Sequence, residues 1–221
     1  DSGTRLLVTV EKIEAYVRRN GGGLAFPVNI ATDEEAAHWT PSSRTDRRFA
    51  AGELVKLDVG VEIDGYIGDN ATTVAVGGCD PAVQRMMEVT ENSLYEGIGQ
   101  ALPGNKVVDI SRVIQSCVEA NGYSIVREFV GHGVGEKVHE DPQIPNFDDG
   151  SRRSQVLKPG MTLAIEPMVN LGQRHVEVLE DDWTVVARDG LPSAHYEHTI
   201  LVTDGEPEIL TCPENLPSEP R

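Results

Sequence analysis

The 221-residue chain predicts an α/β (α+β) domain made of two related halves, and three observations carry that expectation. Helical and strand-like periodicities alternate along most of its length. The sequence overlaps itself twice, in the same order. Carboxylates interrupt otherwise apolar, strand-like runs in both halves.

Residues 6–19 (LLVTVEKIEAYVRR) place Leu6, Val10, Ile13 and Val17 on one helical face and stop at Asn20–Gly21, an amphipathic helix with a C-terminal stop. A second helix is expected over 81–100, with Pro81 early and Val83, Met86, Met87, Leu94 and Ile98 apolar. A third runs from about Val108 to Ala120 and closes at Asn121–Gly122. Strand-like runs occupy 54–59, 61–67, 71–76, 161–169 and 198–203. One domain is expected over 1–211, followed by a loose, Pro-rich tail over 212–221.

Sliding the chain by 101 positions lays Gly3, Ile13, Val17, Asn20 and Gly21 on Gly104, Ile114, Val118, Asn121 and Gly122. A shift of 108 sets Gly52, Val55, Leu57 and Asp58 on Gly160, Leu163, Ile165 and Glu166. Each overlap is a helix or a strand with its flanking turn, and the second carries a carboxylate in both copies. A pseudo-twofold domain follows, with its site where the halves meet and acids supplied by each.

The composition is globular, with 39% hydrophobic and 25% charged residues. Thirty-six Asp and Glu against nineteen Lys and Arg give a formal charge of −17. That balance argues against direct nucleic-acid binding, which needs clustered cations for the phosphates, and against an anionic membrane surface. No stretch reaches the ~20 apolar residues of a membrane span. Cys79, Cys117 and Cys212 are odd in number and form no C-x-x-C pair, so a reducing, cytoplasmic setting is expected.

Asp58 interrupts LVKLDVGV, Asp69 follows YIG, Glu166 interrupts TLAIEPMV and Glu197 precedes HTILVT. A carboxylate buried in such a strand costs several kcal/mol unless paired or bound to a cation. Four together would raise one another's pKa unless a strong positive charge held them ionised. Divalent ions supply that charge, and oxygen ligands with one imidazole suit Co, Mn, Fe or Zn. The imidazole is His132, set between glycines in Phe129-Val-Gly-His-Gly-Val-Gly. Four acids and one histidine suffice for two bridged ions.

LDVGVEIDGYIGDNATTV, EFVGHGVGEKVHEDPQIPNF, MTLAIEPMV and AHYEHTILVTDGEPEILT together resemble the methionine aminopeptidases over about residues 4–211. The resemblance implies the pita-bread fold, a pseudo-twofold repeat of helices packed on a curved, mainly antiparallel sheet. It implies five metal ligands, Asp58, Asp69, His132, Glu166 and Glu197, with Asp69 and Glu197 bridging two divalent ions. His38, in Ala-Ala-His-Trp-Thr-Pro, and His139 match two histidines near the scissile bond. The first half resembles the type 2 enzymes. The second resembles type 1, because Glu197 follows Glu166 by only 31 positions and Trp183 fits the type 1 pattern. The family's further strand and helix before Gly3 have no counterpart in this sequence.

The implied reaction removes an N-terminal methionine from peptides and nascent proteins, using a water that two metals convert to hydroxide. Glu166 would shuttle the proton, and the substrate's α-amine would bind one metal. His139 would serve the oxyanion, and His38 would position the second-residue amide. Phe26 and Trp183 would wall the methionine pocket. A monomer working near the ribosome is the implied setting. Two alternatives stay open. Xaa-Pro peptidases share the ligand set but carry a further His where Glu128 stands and an Arg where His195 stands. Non-catalytic relatives of the fold act as binding modules and lose ligands, whereas all five ligand types are present here.

Overall fold

The computed structural model describes residues 1–150 and 154–212; of the expected tail, all but Cys212 lies outside the described residues. The first half comprises α1 (Leu6–Arg19), β1 (Gly23–Leu24), β2 (Asn29–Thr32), β3 (Glu35–Ala37), β4 (Leu54–Ile63) and β5 (Tyr66–Ala75). The second opens with α2 (Pro81–Ile98), α3 (Val107–Ala120), β6 (Ser124–Ile125), β7 (Gly131–Gly133) and β8 (Glu140–Ile144). It continues through β9 (Thr162–Ile165), β10 (Met168–Asn170), β11 (Val176–Val178) and β12 (Val185–Ala187). It closes with β13 (Ser193–His195), β14 (Glu197–Leu201) and β15 (Glu208–Ile209).

The three helices form where their periodicity placed them. Asp80 caps α2 by accepting from the Ala82 N–H at 2.8 Å, with Pro81 in the first turn, where its missing N–H costs nothing. Asp109 accepts from the Lys106 N–H at 2.8 Å and closes the start of α3. Gly21 (φ 87°) and Gly122 (φ 81°) take the left-handed conformation that ends α1 and α3. Two strand expectations need correction. The run 61–67 is split by a turn at Asp64–Gly65, so that Ile63 pairs with Tyr66 across a hairpin. The run 161–169 breaks at Glu166–Pro167, because proline cannot donate to a ladder, and β9 and β10 enter different sheets. Strands of two or three residues, such as β1, β3 and β7, are too short to show a period.

Among the described residues, a nine-stranded sheet runs β1-β4-β5-β14-β9-β7-β8, with β2 also on β4 and β15 on β14, and every pair is antiparallel. Two three-stranded sheets, β13-β10-β6 and β11-β12-β3, flank it. Leu6 and Val10 of α1 pack with Val28, Ile30 and Val55. Met86 and Leu94 of α2 and Ile110 and Ile114 of α3 pack with Leu163, Ile165 and Ile200. Each such fully buried side chain contributes about 1.5–3 kcal/mol relative to exposure.

The twofold relation is written in the hydrogen bonds. Gly3 N donates to Phe49 O at 2.8 Å, and Gly104 N to Leu157 O at 3.0 Å. Gly52 N donates to Val76 O, and Gly160 N to Val202 O, both at 2.8 Å. Ala25 N donates to Gly60 O at 2.9 Å, and Val126 N to Met168 O at 3.0 Å. Five of the six donor and acceptor offsets in these pairs are 101 or 108 positions, the exception being Val76 and Val202. The α/β pita-bread architecture of two related halves is therefore present as expected.

Candidate metal centre

Strand register alone puts the acids on one face. Asp58 in β4 lies opposite Asn29 of β2 on one side and Ala71 of β5 on the other, and Glu197 of β14 also lies opposite Ala71. Asp69, two residues from Ala71, shares that face because side chains alternate along a strand. Ala164 of β9 pairs with both Thr199 and His132, so His132, Thr199, Glu197 and Glu166 follow onto the same side. The opposite face meets the helices: Val55 packs with α1, and Leu163, Ile165 and Ile200 with α2 and α3. Ala71 and Ala164 are small enough to leave room over the floor of the site.

Ligand-type atoms of Asp69, His132 and Glu197 lie within 4.8 Å of one another. His132 Nε2 stands 3.5 Å from Glu166 Oε1. Asn29 Nδ2 donates to Asp58 Oδ2 at 3.1 Å and is itself held by the Thr40 hydroxyl at 2.9 Å. Thr199 Oγ1 accepts from the Asp69 N–H and donates to the Asp69 carbonyl, both at 2.8 Å. Asn146, fully buried, donates to the Glu166 carbonyl at 3.0 Å.

The electrostatics are those of a site built for cations. Burial and then the neighbouring Asp69 charge push the Asp58 carboxyl up to about 7. Burial and then Glu166 push Asp69 up to about 7. Burial raises Glu166 to about 8, and burial with Asp69, Glu166 and Asp58 raises Glu197 well above the ordinary range. Burial lowers His132, favouring the neutral imidazole that a metal requires. Asp58 Oδ1, Asp69 Oδ1 and Glu197 Oε1 are sealed from solvent with no hydrogen-bond partner among the described residues. Buried polar atoms are nearly always satisfied, and divalent ions would satisfy all three. The donor set fits the metals that the sequence anticipates.

A cavity of about 250 Å³ opens over these groups. Its lining contains all nine residues singled out in the sequence: Phe26, His38, Asp58, Asp69, His132, His139, Glu166, Trp183 and Glu197. His38 and Trp183, far apart in sequence, are joined by β3 pairing with β12, and their rings stack at 4.8 Å. His38 sits at φ 62°, a left-handed conformation rare for a side-chain-bearing residue and found at functional sites. The Phe129 ring meets its edge at 5.3 Å. His139 is exposed at the mouth, its ring 4.5 Å from that of His132. The Phe26 ring lies directly over Gly60, where a Cβ would fall 2.3 Å from it.

The glycines around His132 are required by backbone approach. A Cβ on Gly131 would meet the Ala164 carbonyl oxygen at 2.3 Å, and one on Gly133 the Asp141 carbonyl oxygen at 2.3 Å. Gly133→Ala should therefore push β7 off β8, lower Tm by about 5 °C and weaken Mn²⁺ binding through a displaced His132. Differential scanning and titration calorimetry read both, and a variant matching wild type in both would contradict the packing described.

Several supporting residues escaped the sequence reading. Asn29 and Asn146 act through hydrogen bonds whose partners only the fold reveals. Lys56 is 2% exposed, and its ammonium donates to the Asp33 carbonyl at 2.6 Å. His195 is buried beside Glu166, with its Nε2 3.6 Å from Oε2. Residues His175 and His198 do not join the cluster, His198 being bound instead to Asn70 (3.0 Å) and Thr211 (2.9 Å) on the helix side.

Comparison with known proteins identifies the family and fold. Residues 3–204 match metallopeptidase family M24. Methionine aminopeptidase 1 of Bacillus subtilis is 43% identical over 206 residues, covering 90% of this chain and 82% of that protein. The crystal structure of methionine aminopeptidase from Thermotoga maritima superposes with a TM-score of 0.91 at 38% identity, covering 95% of this chain and 86% of the other. The prolidase of Pyrococcus furiosus gives a TM-score of 0.76 at 25% identity, covering 96% of this chain and 56% of its own.

Proposed function

The chain belongs to metallopeptidase family M24, and from that premise we propose that it hydrolytically removes the N-terminal methionine of peptides and nascent proteins. The observation that carries the reading is the convergence of four acids and His132 under one small aromatic-walled cavity, with three buried carboxylate oxygens lacking partners. Asp58, Asp69, His132, Glu166 and Glu197 would hold two divalent ions, Co, Mn, Fe or Zn, with Asp69 and Glu197 shared between them. Such ions lower the pKa of a water toward neutrality and polarise a carbonyl when bound.

The protein's own groups supply the rest. Glu166, with one carboxylate oxygen 3.5 Å from His132 Nε2, would take a proton and pass it to the leaving amine. His139, at the mouth, would donate to the oxygen of the substrate carbonyl as negative charge develops. His38, fixed by Trp183 and Phe129, would hold the amide that follows the first residue. Phe26 and Trp183 bound the space for an apolar side chain. Among the described residues no helix is long and apolar enough to cross a membrane. A monomer acting in the cytoplasm on chains leaving the ribosome is the setting that belongs to this proposal.

Release of methionine from Met-Ala-Ser, and of Xaa from Xaa-Pro dipeptides, tests the reading with EDTA-stripped and with Co²⁺- or Mn²⁺-loaded protein. Metal-dependent release of methionine with little action on Xaa-Pro is expected. Preferential Xaa-Pro cleavage would favour the prolidase-like alternative, and no turnover with bound metal would favour a binding module.

A further inference from the structure

His195 has no assignment in the reading above. It lies at the end of β13, opposite Met168 of β10, and its backbone is clamped by Thr73, whose hydroxyl donates to the His195 carbonyl at 2.7 Å and accepts from its N–H at 2.9 Å. Its side chain is 4% exposed, and Nε2 is sealed from solvent with no hydrogen-bond partner among the described residues. That nitrogen points at Glu166 Oε2 from 3.6 Å, just beyond hydrogen-bond length. Glu166 thus lies between two imidazoles, with Oε1 3.5 Å from His132 Nε2 and Oε2 3.6 Å from His195 Nε2.

A carboxylate that must serve as metal ligand and proton carrier has two equivalent oxygens, and something must decide which does which. We propose that His195 is a positioning residue for Glu166: its Nε2–H holds Oε2 and thereby commits Oε1 to the metal beside His132. The clamp on both backbone groups fixes where the His195 side chain starts, and its burial, 4% exposed, leaves the ring little room to turn away from Glu166. Outer partners of this kind orient metal ligands and are worth 10- to 100-fold in affinity or activity. Buried imidazoles without a partner are uncommon, and the Glu166 carboxylate is the acceptor that this one faces. The inference rests on the metallopeptidase reading above.

The test compares wild type, His195→Leu and His195→Gln for calorimetric Mn²⁺ affinity of EDTA-stripped protein and for kcat and KM of methionine release. His195→Leu is expected to weaken Mn²⁺ binding about tenfold and lower kcat by roughly 10- to 100-fold with KM little changed. His195→Gln, whose amide N–H can replace the imidazole donor, is expected to recover most of both losses. Should the Leu variant fail to fold, His195→Asn, polar but too short to reach Glu166, takes its place with the same expectation of loss. The inference is overturned if the Leu or Asn variant binds Mn²⁺ and turns over as wild type does, or if the Gln variant is as impaired as they are. A wild-type protein that binds Mn²⁺ but releases no methionine would instead overturn the proposed function, while the affinities still decide the part played by His195.

Discussion

Asp69→Asn is expected to lose divalent-metal binding and methionine release together, yet to melt a few degrees above wild type in EDTA. Its Oδ1 has no protein partner among the described residues, and its charge raises both Asp58 and Glu197. Asparagine keeps the shape and the backbone bonds to Thr199 but removes a buried like charge. The metal-free protein is relieved of repulsion, by about 3–6 °C in Tm for a chain of this size. Loss of a shared ligand should slow turnover on the order of a thousandfold or more. Calorimetric titration with Mn²⁺, a scanning melt in EDTA and chromatographic assay of free methionine check the three parts. Substantial activity in the variant would refute the metal centre as drawn.

The second large effect is a pH dependence that metal reverses. In the metal-free protein Asp58 and Asp69 titrate near 7 and Glu166 near 8, all above their ordinary values near 4. A carboxylate raised on folding binds more protons folded than unfolded, so its contribution is complete below about pH 4 and is lost as pH rises through its folded value. Stripped protein should therefore lose stability progressively up to about pH 8, by several kcal/mol over the cluster. Divalent ions need the ionised forms and release protons on binding, so their affinity should rise over the same interval. The difference in Tm between Mn²⁺-loaded and EDTA-treated protein is expected to widen steadily from pH 5 to 8. Taking the difference removes the general repulsion of a chain with net charge −17, which acts on both samples. A difference that narrows with rising pH would show that the cluster is not the cation site.

These results hang on residues that the sequence exposed unequally. Asp58 and Glu166 stand out because they interrupt apolar strand-like runs, and Asp69 and Glu197 because they border such runs, an arrangement that buried strands do not tolerate without a counter-charge. His132 stood out through its flanking glycines, and the structure gives their reason: a Cβ at either would fall 2.3 Å from a neighbouring carbonyl oxygen. The helices were legible to within a residue or two because a 3.6-residue period repeats several times over 14 or 18 residues. Strands such as β1, β3 and β7 were not, since two or three residues carry no period and exist only through their partners.

The sequence by itself determined the two-halved α/β plan, through the overlaps at 101 and 108 positions, and the chemical identity of the site, through five ligand-type residues, four of them on four strands and Glu166 just after a fifth. Only the tertiary structure decided that Asn29 orients Asp58, that His38 stacks on Trp183, that Lys56 is buried against the Asp33 carbonyl and that His195 faces Glu166. The physical reason is the range of the forces. Burial of a charge and the pitch of a helix are set by near neighbours along the chain. A hydrogen bond or a ring contact between residues tens of positions apart or, as for His38 and Trp183, far more, is set by strand register, which long-range pairing alone fixes.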